Sequence, residues 1–355
     1  MAEDFMKMKT KYGSVMSVQI GLWDCVILND YDAIYEALVK QGKKFSGRPN
    51  NFLFDLITQG CGIVFIDYGQ LWKSSRRFGS RALNGFGVGK KEMERNVREE
   101  TFFLIKSLTR KEDRRSLLLK LTSATSNIIC RLVLGTRFDD NDKRIMRMTE
   151  LLHDFFAVTT DSKLCGLVAI APFLRFIPPF SGSIKRAWDD TVEFSGEDGV
   201  PTMKHRDEMP YTCAFIQELM RHRTLLPLSV FHKTIEEATL NGYTIQKNAT
   251  VFPNIWSVHF DPKYFENPRE FRPERFLDND GKFIKSNHVI PFCIGPRHCL
   301  GEQLAIMEMF IFLTGIVRKL KVVPDQCKPV PPFDVGRFNI LAYEARDFDV
   351  IFERR

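Results

Sequence analysis

The stretch Phe292-Cys293-Ile294-Gly295-Pro296-Arg297-His298-Cys299-Leu300-Gly301 concentrates the chemistry of this 355-residue chain. A cysteine sulfur binds a metal only as the thiolate, so its surroundings must favour the anion. Cys299 stands where an apolar periodic segment, about Leu300 to Leu320, predicts a long helix. The free amides and positive dipole end of a helix start stabilise a negative sulfur. Gly295 and Gly301 let backbone amides come close. Arg297 offers a guanidinium to an acid group, and Phe292 offers a ring that keeps water from the sulfur. By residue type alone, Cys299 reads equally as a buried free thiol at a helix start, the ordinary fate of a lone cysteine.

Other residues gain meaning from their order along the chain. Glu218 and Arg221 lie three apart, hence on one helical face, and Phe271-Arg272-Pro273-Glu274-Arg275-Phe276 follows them. Trp72-Lys73-Ser74-Ser75-Arg76 pairs an indole with a guanidinium one helical turn away. Arg48 in Phe45-Ser46-Gly47-Arg48-Pro49 and His232 after Pro227-Leu228-Ser229-Val230-Phe231 are further cationic candidates. Each has a plain alternative as a solvated surface group.

Taken together these phrases resemble the cytochrome P450 superfamily. The haem-binding signature F-x-x-G-x-R-x-C-x-G is matched at all five fixed positions, which at ordinary residue frequencies happens by chance on the order of once in ten thousand such chains. The pairs E-x-x-R, F-x-P-x-R-F and W-x-x-x-R match the same family. Met209-Pro210-Tyr211-Thr212, Ser257-Val258-His259-Phe260-Asp261 and Pro273-Glu274-Arg275-Phe276-Leu277-Asp278 are similar to its microsomal family 2 branch. So is Arg297-His298-Cys299-Leu300-Gly301-Glu302, and several phrases, with the terminal Glu353-Arg354-Arg355, look like the vitamin D 25-hydroxylase subgroup.

The resemblance implies haem b (iron protoporphyrin IX) with Cys299 as its axial ligand and Phe292 and Gly301 beside the sulfur. Arg48, Trp72, Arg76, His232 and Arg297 would meet the propionates, and Glu218, Arg221 and Arg275 would form a buried triad bracing the proximal side. It implies a monooxygenase that inserts one oxygen of O2 into a small apolar substrate of xenobiotic, steroid or fatty-acid type. Electrons from NADPH would arrive through NADPH-cytochrome reductase on a basic proximal face, and the segment after Pro227 would line the substrate pocket. The expected location is the cytoplasmic face of the endoplasmic reticulum membrane.

These residues need a scaffold, and the pattern predicts a mainly α chain with a smaller β portion, read as a single P450-like domain over 1–355. Val18, Ile20 and Leu22, then Val26 and Leu28, predict a β-hairpin broken at Asp24. Asp30 is expected to cap a short helix ending near Gly42. From Gln70 to about Ile170 the pattern is almost wholly helical, including Leu117 to Leu134 ending at Gly135. A helix from Glu208 to Arg221 is expected to begin just after Asp207. Beyond Pro227 come strands at Tyr243 to Ile245 and Val251 to Ile255, joined through the turn Asn241-Gly242.

Composition excludes some alternatives. A 44% hydrophobic, 27% charged chain is a folded body, not a disordered tail. The net charge of +7 comes without a dense Lys/Arg block, so a partner protein or membrane surface fits better than nucleic acid. The eight cysteines form no C-x-x-C pair, which argues against zinc and for mostly buried free thiols. No run of about 20 uninterrupted apolar residues predicts a membrane span, and Met1 to Thr10 is too charged for a signal peptide. Leu164 to Phe180, broken by Pro172, Arg175, Pro178 and Pro179, is expected to be a buried or interfacial hinge, a peripheral membrane contact being the second reading.

Against the family pattern the chain is expected to lack an amino-terminal anchor and hinge, with Tyr12-Gly13 corresponding to the first strand region. A larger departure lies near 194–209, where Phe194 runs into Met209 across a short connection. The family's long central helix, with its A-G-x-[DE]-T-[TS] motif, has no place there. Its acid and alcohol supply protons for oxygen activation in the family. Asp189-Asp190-Thr191 has an acid before a threonine, but Lys185, Arg186 and Glu193 make that segment read as an exposed amphipathic helix. The expectation is an internally truncated chain: by family a monooxygenase, alternatively a catalytically silent isoform or incomplete gene model that at most binds haem.

Overall fold

A computed structural model describes residues 1–20, 23–49, 62–85, 91–149, 201–325, 337–338, 343–344 and 348–355. Leu164 to Phe180, Asp189-Asp190-Thr191 and Phe194 lie outside these residues.

Helix α1 (Ala2–Tyr12) leads into strands β1 (Val15–Ile20) and β2 (Trp23–Leu28), which pair antiparallel from Val15↔Leu28 to Ile20↔Trp23. The expected hairpin forms, but Asp24 is not its break: it sits inside β2 opposite Gln19. Asp30 caps α2 (Tyr31–Tyr35) by accepting from the Ala33 amide at 2.8 Å, and the coil widens into a π turn over Glu36–Lys40. Two later segments complete this sheet. Strand β7 (Thr250–Pro253) lies parallel to β2, and β4 (His232–Lys233) pairs antiparallel with β7. Between them β5 (Ala238–Leu240) and β6 (Tyr243–Ile245) pair across the Asn241-Gly242 turn.

The helical half contains α3 (Gln70–Gly85), α4 (Lys91–Ser107) and α5 (Arg114–Leu134). The expectation of unbroken helix from Gln70 fails at β3 (Lys111–Asp113), whose Asp113 both ends a strand and caps α5 through the Ser116 amide at 2.9 Å. A three-stranded sheet orders β3, β11 (Asp349–Arg354) and β8 (Leu320–Pro324), so the carboxyl end closes against this short strand, while β9 (Arg337–Phe338) and β10 (Tyr343–Glu344) pair with each other. By length and composition α5 is apolar enough to cross a membrane, but 56% of its apolar window is buried inside the fold.

Met203–Glu208 forms a 3-10 turn, and α6 (Pro210–His222) starts at Pro210, not after Asp207. Proline is suited to a first helical position because its missing N–H would have no partner there. Short α7 (Ile255–His259) and a 3-10 turn at Pro273–Phe276 precede α8 (Glu302–Lys319). Buried residues run almost continuously from Met307 to Val317 in α8, so it is covered on all sides and packs with α4 and α6. The main core joins α4, α5, α6 and α8, with Phe215, Phe310 and Phe312 fully buried.

Candidate haem-thiolate site

The loop from Ile290 to Gly301 hangs on backbone hydrogen bonds. The Cys293 amide donates to the Ile290 carbonyl at 3.0 Å, His298 to Gly295 at 3.0 Å, and Cys299 to Phe292 at 3.1 Å. Gly295 has φ +82°, and a Cβ there would lie 1.9 Å from the Leu38 carbonyl oxygen. Only glycine allows the loop to lie against the π turn of Glu36–Lys40. Cys299 is exposed, whereas Cys25, Cys130, Cys213 and Cys293 are buried free thiols. A Cβ on Gly301 would meet only the Cys299 Sγ, at 3.9 Å. Phe292 is half-buried and its carbonyl holds the Cys299 amide. The long helix begins at Glu302, three residues after Cys299, and His298 pairs with Glu302 across its start.

The sheet explains how distant cations reach this loop. Gly47 bridges Lys233, the residue after His232, so Arg48 and His232 are brought side by side. A Cβ on Gly47 would come within 2.7 Å of the Lys233 carbonyl oxygen, which keeps the position for glycine. Arg48 Nη1 donates to Phe231 O at 2.8 Å and Nε to Val64 O at 2.8 Å. Arg297 donates to Ser46 O at 2.9 Å and Ile66 O at 2.9 Å, its guanidinium lying 4.3 Å over the Trp72 ring. On α3, Trp72 Nε1 donates to Ile63 O at 3.1 Å, and Arg76 donates to the His298 carbonyl beside Cys299. Thus Arg48, Trp72 with Arg76, and His232 come from three separate segments to the Cys299 loop, which itself carries Arg297.

These carbonyl oxygens satisfy hydrogen bonds without neutralising charge. Burial pushes the Arg297 guanidinium down to about 9, with Arg48 adding repulsion, and burial takes Arg48 down to about 10. Asp67 favours both cations, yet it is already engaged by Lys233 at 2.7 Å and by the Arg48 amide at 3.0 Å. Burial, then Arg48, holds the His232 imidazole well below its ordinary value. Its Nδ1 hydrogen-bonds the Phe45 carbonyl at 2.7 Å, which fixes the proton there, while the buried Nε2 has no partner. The cluster therefore lacks negative charge and one hydrogen-bond partner. A group carrying two carboxylates supplies both: it neutralises the arginines and lets His232 accept a second proton and donate from Nε2. The residues fit haem, with Cys299 Sγ the exposed sulfur beside them.

Glu218, Arg221 and Arg275 form a second buried cluster. Arg221 reaches Glu218 through two parallel bonds of 2.7 Å, and Arg275 Nε reaches the same carboxylate at 3.2 Å. Arg221 also donates to the carbonyls of His259 at 2.6 Å and Pro268 at 2.8 Å. A fourth donor, the Arg272 amide at 2.8 Å, completes the coordination of Glu218.

Sequence reasoning missed Asp67, Ser46 and the His298–Glu302 pair. The last was visible as an i,i+4 spacing, whereas Asp67 is an ordinary turn residue whose role arises only when Arg48 and Lys233 meet. A cavity of about 620 Å³ between α4 and α5 is lined by none of the predicted site residues and belongs to a different part of the fold. Among the described residues no cluster of metal-ligating His, Cys, Asp and Glu is present.

The Cytochrome P450 family model matches residues 1–197 and 190–346 in two pieces. Among similar proteins, Cytochrome P450 2U1 of Bos taurus is 30% identical, over 97% of this chain and 79% of its own length. Cytochrome P450 2B4 of Oryctolagus cuniculus is 29% identical, over 93% and 84%, and Cytochrome P450 2H2 of Gallus gallus 29% identical, over 91% and 83%. The alignment with the bovine protein runs over 435 residues although the whole chain has 355, so at least 80 of its positions have no counterpart here. By the two matches, the second of which contains the signature loop, this chain belongs to the cytochrome P450 family of haem-dependent monooxygenases.

Proposed function

We propose that the chain binds haem b through the Cys299 thiolate and carries the P450 monooxygenase reaction on a small apolar substrate of xenobiotic, steroid or fatty-acid type. One observation carries this reading: a buried cluster of Arg48, Arg297 and His232, short of negative charge, beside an exposed cysteine sulfur. Bound haem supplies oxygen activation, with the thiolate donating electron density to the iron. The protein's part is to hold that sulfur as the anion, to bind the two propionates through Arg48, Trp72, Arg76, His232 and Arg297, and to exclude water with Phe292. Gly301 keeps space beside the sulfur. Glu218, Arg221 and Arg275 keep the scaffold under the loop rigid.

NADPH-cytochrome reductase is the proposed electron donor. Lys73, Arg77 and Arg81 repeat every four residues on the exposed face of α3, next to the Cys299 loop, which suits an acidic partner surface. The proposed location is the cytoplasmic face of the endoplasmic reticulum, with peripheral membrane contact.

A second reading has its own observation. The family matches overlap at residues 190–197, beside the short 194–209 connection in which the sequence offers no room for the central helix, and the alignment with the bovine relative carries at least 80 more positions. Without the acid-alcohol pair of that helix the chain binds haem but turns over at very low rates, as a silent isoform or the product of an incomplete gene model. Expression with haem supply, reduction under carbon monoxide and the Soret band test the first step. A thiolate-type band that vanishes in Cys299→Ser is expected. Absence of haem, or an unchanged band in that variant, overturns the binding reading. NADPH-dependent product at rates ordinary for the family overturns the silent one.

A further inference from the structure

His259 is wholly buried at the end of α7 and touches none of the cationic cluster, yet it stands between the Glu218–Arg221–Arg275 cluster and the thiolate loop. Its partners define a single tautomer. The Ile290 amide donates to His259 Nε2 at 2.8 Å, so Nε2 is unprotonated and the proton resides on Nδ1. Nδ1 faces Thr224 Oγ1, and that hydroxyl donates its own hydrogen to the Arg221 carbonyl at 2.9 Å. The chain of donors then runs one way, from Ile290 N–H to His259, to Thr224, to the Arg221 main chain. Arg221 answers by donating from Nη1 to the His259 carbonyl at 2.6 Å. Burial, then the Arg221 charge, lowers the imidazole to about 3, which keeps Nε2 an acceptor at any physiological pH.

Ile290 is the residue from which the thiolate loop is suspended. Its carbonyl accepts from the Cys293 amide at 3.0 Å, and Phe292 O accepts from Cys299 at 3.1 Å. Cys293 adopts φ +60° at a non-glycine position, a conformation of low intrinsic stability that external contacts must hold. Ile290 N–H is the contact on the far side of that strained turn.

We propose that His259 is a positioning residue for the haem ligand: its neutral imidazole transmits the geometry of the Glu218–Arg221–Arg275 cluster to Cys299 through Thr224 on one side and Ile290 on the other. The proposal rests on the reading of Cys299 as the axial ligand, but its first test does not require haem. In the protein without haem, amide hydrogen exchange is followed in the parent, His259→Phe, His259→Gln and Thr224→Val. Glutamine keeps an oxygen acceptor for the Ile290 amide, phenylalanine keeps the ring shape without one, and Thr224→Val frees Nδ1 while leaving Ile290 its acceptor.

Exchange at the Cys293 and Cys299 amides is expected to quicken at least about tenfold in His259→Phe, equal to about 1.4 kcal/mol of lost protection. It should quicken less in Thr224→Val and return towards the parent in His259→Gln, with α4 and α8 unchanged throughout. In the haem-loaded protein, reduced under carbon monoxide, His259→Phe should lose its thiolate-type band several times faster than His259→Gln. Unchanged exchange at Cys293 and Cys299 in His259→Phe overturns the proposal, as does equal behaviour of the two substitutions. Should His259→Phe not fold, unchanged exchange at those amides in Thr224→Val overturns it alone. Failure of the parent to take up haem strikes the ligand reading and leaves the exchange result to decide on His259.

Discussion

Glu308 sits in the middle of α8 at 2% exposure, with its Oε1 unpartnered. Burial alone raises its carboxyl from the ordinary 4.5 to about 8. Below pH 4.5 both folded and unfolded chains hold the proton, and the residue carries no ionisation penalty. Between 4.5 and 8 the unfolded chain releases the proton while the fold retains it, so stability falls as pH rises. Over the interval from 4.5 to pH 7, at about 1.4 kcal/mol per pH unit, Glu308 removes about 3 kcal/mol, and the loss levels off near 5 kcal/mol above pH 8. That is a large share of a net stability of roughly 5–15 kcal/mol.

Glu308→Gln keeps the shape and cannot ionise. Urea unfolding of parent and variant, followed by tryptophan fluorescence from pH 5 to 8, isolates the effect, because all other titrating groups cancel in the difference. The variant's advantage should be small at pH 5 and grow by about 1.4 kcal/mol per unit towards pH 8. A difference that stays constant across this range would refute the reasoning, since it would mean that the carboxyl finds a partner or water on ionising.

Three further outcomes follow from the geometry around the thiolate loop. Glu218→Ala leaves Arg221 buried without its carboxylate and should lower stability by about 3–5 kcal/mol in urea unfolding, a loss that a change below 1 kcal/mol would contradict. Gly295→Ala drives a methyl into the Leu38 carbonyl at positive φ and should lower the unfolding midpoint by the equivalent of at least about 2 kcal/mol. Gly301→Ala meets only Cys299 Sγ at ordinary contact distance and should stay within about 1 kcal/mol of the parent, so equal effects from the two alanines would contradict the loop geometry.

The sequence by itself determined the family, the signature loop, the Glu218–Arg221 face and most strands, because those rest on local spacing and turn chemistry. The Asn241-Gly242 hairpin and the Asp30 cap form where their residue types require them. It misplaced Asp24 and the start of α6, where strand pairing and a proline outweighed the local polar signal, and it overlooked β3, three charged residues that become a strand only because β11 lies beside them.

Only the tertiary structure decided the energetics of the site. No spacing reveals that His232 faces Arg48 and Arg297 with an idle nitrogen, since that juxtaposition is made by the Gly47–Lys233 bridge between segments almost two hundred residues apart. Equally, neither His259, legible only as one letter of a family phrase, nor Glu308 shows its role in the sequence. One becomes a link to the thiolate loop and the other an isolated buried acid because burial removes water and leaves each with whatever partners the fold supplies.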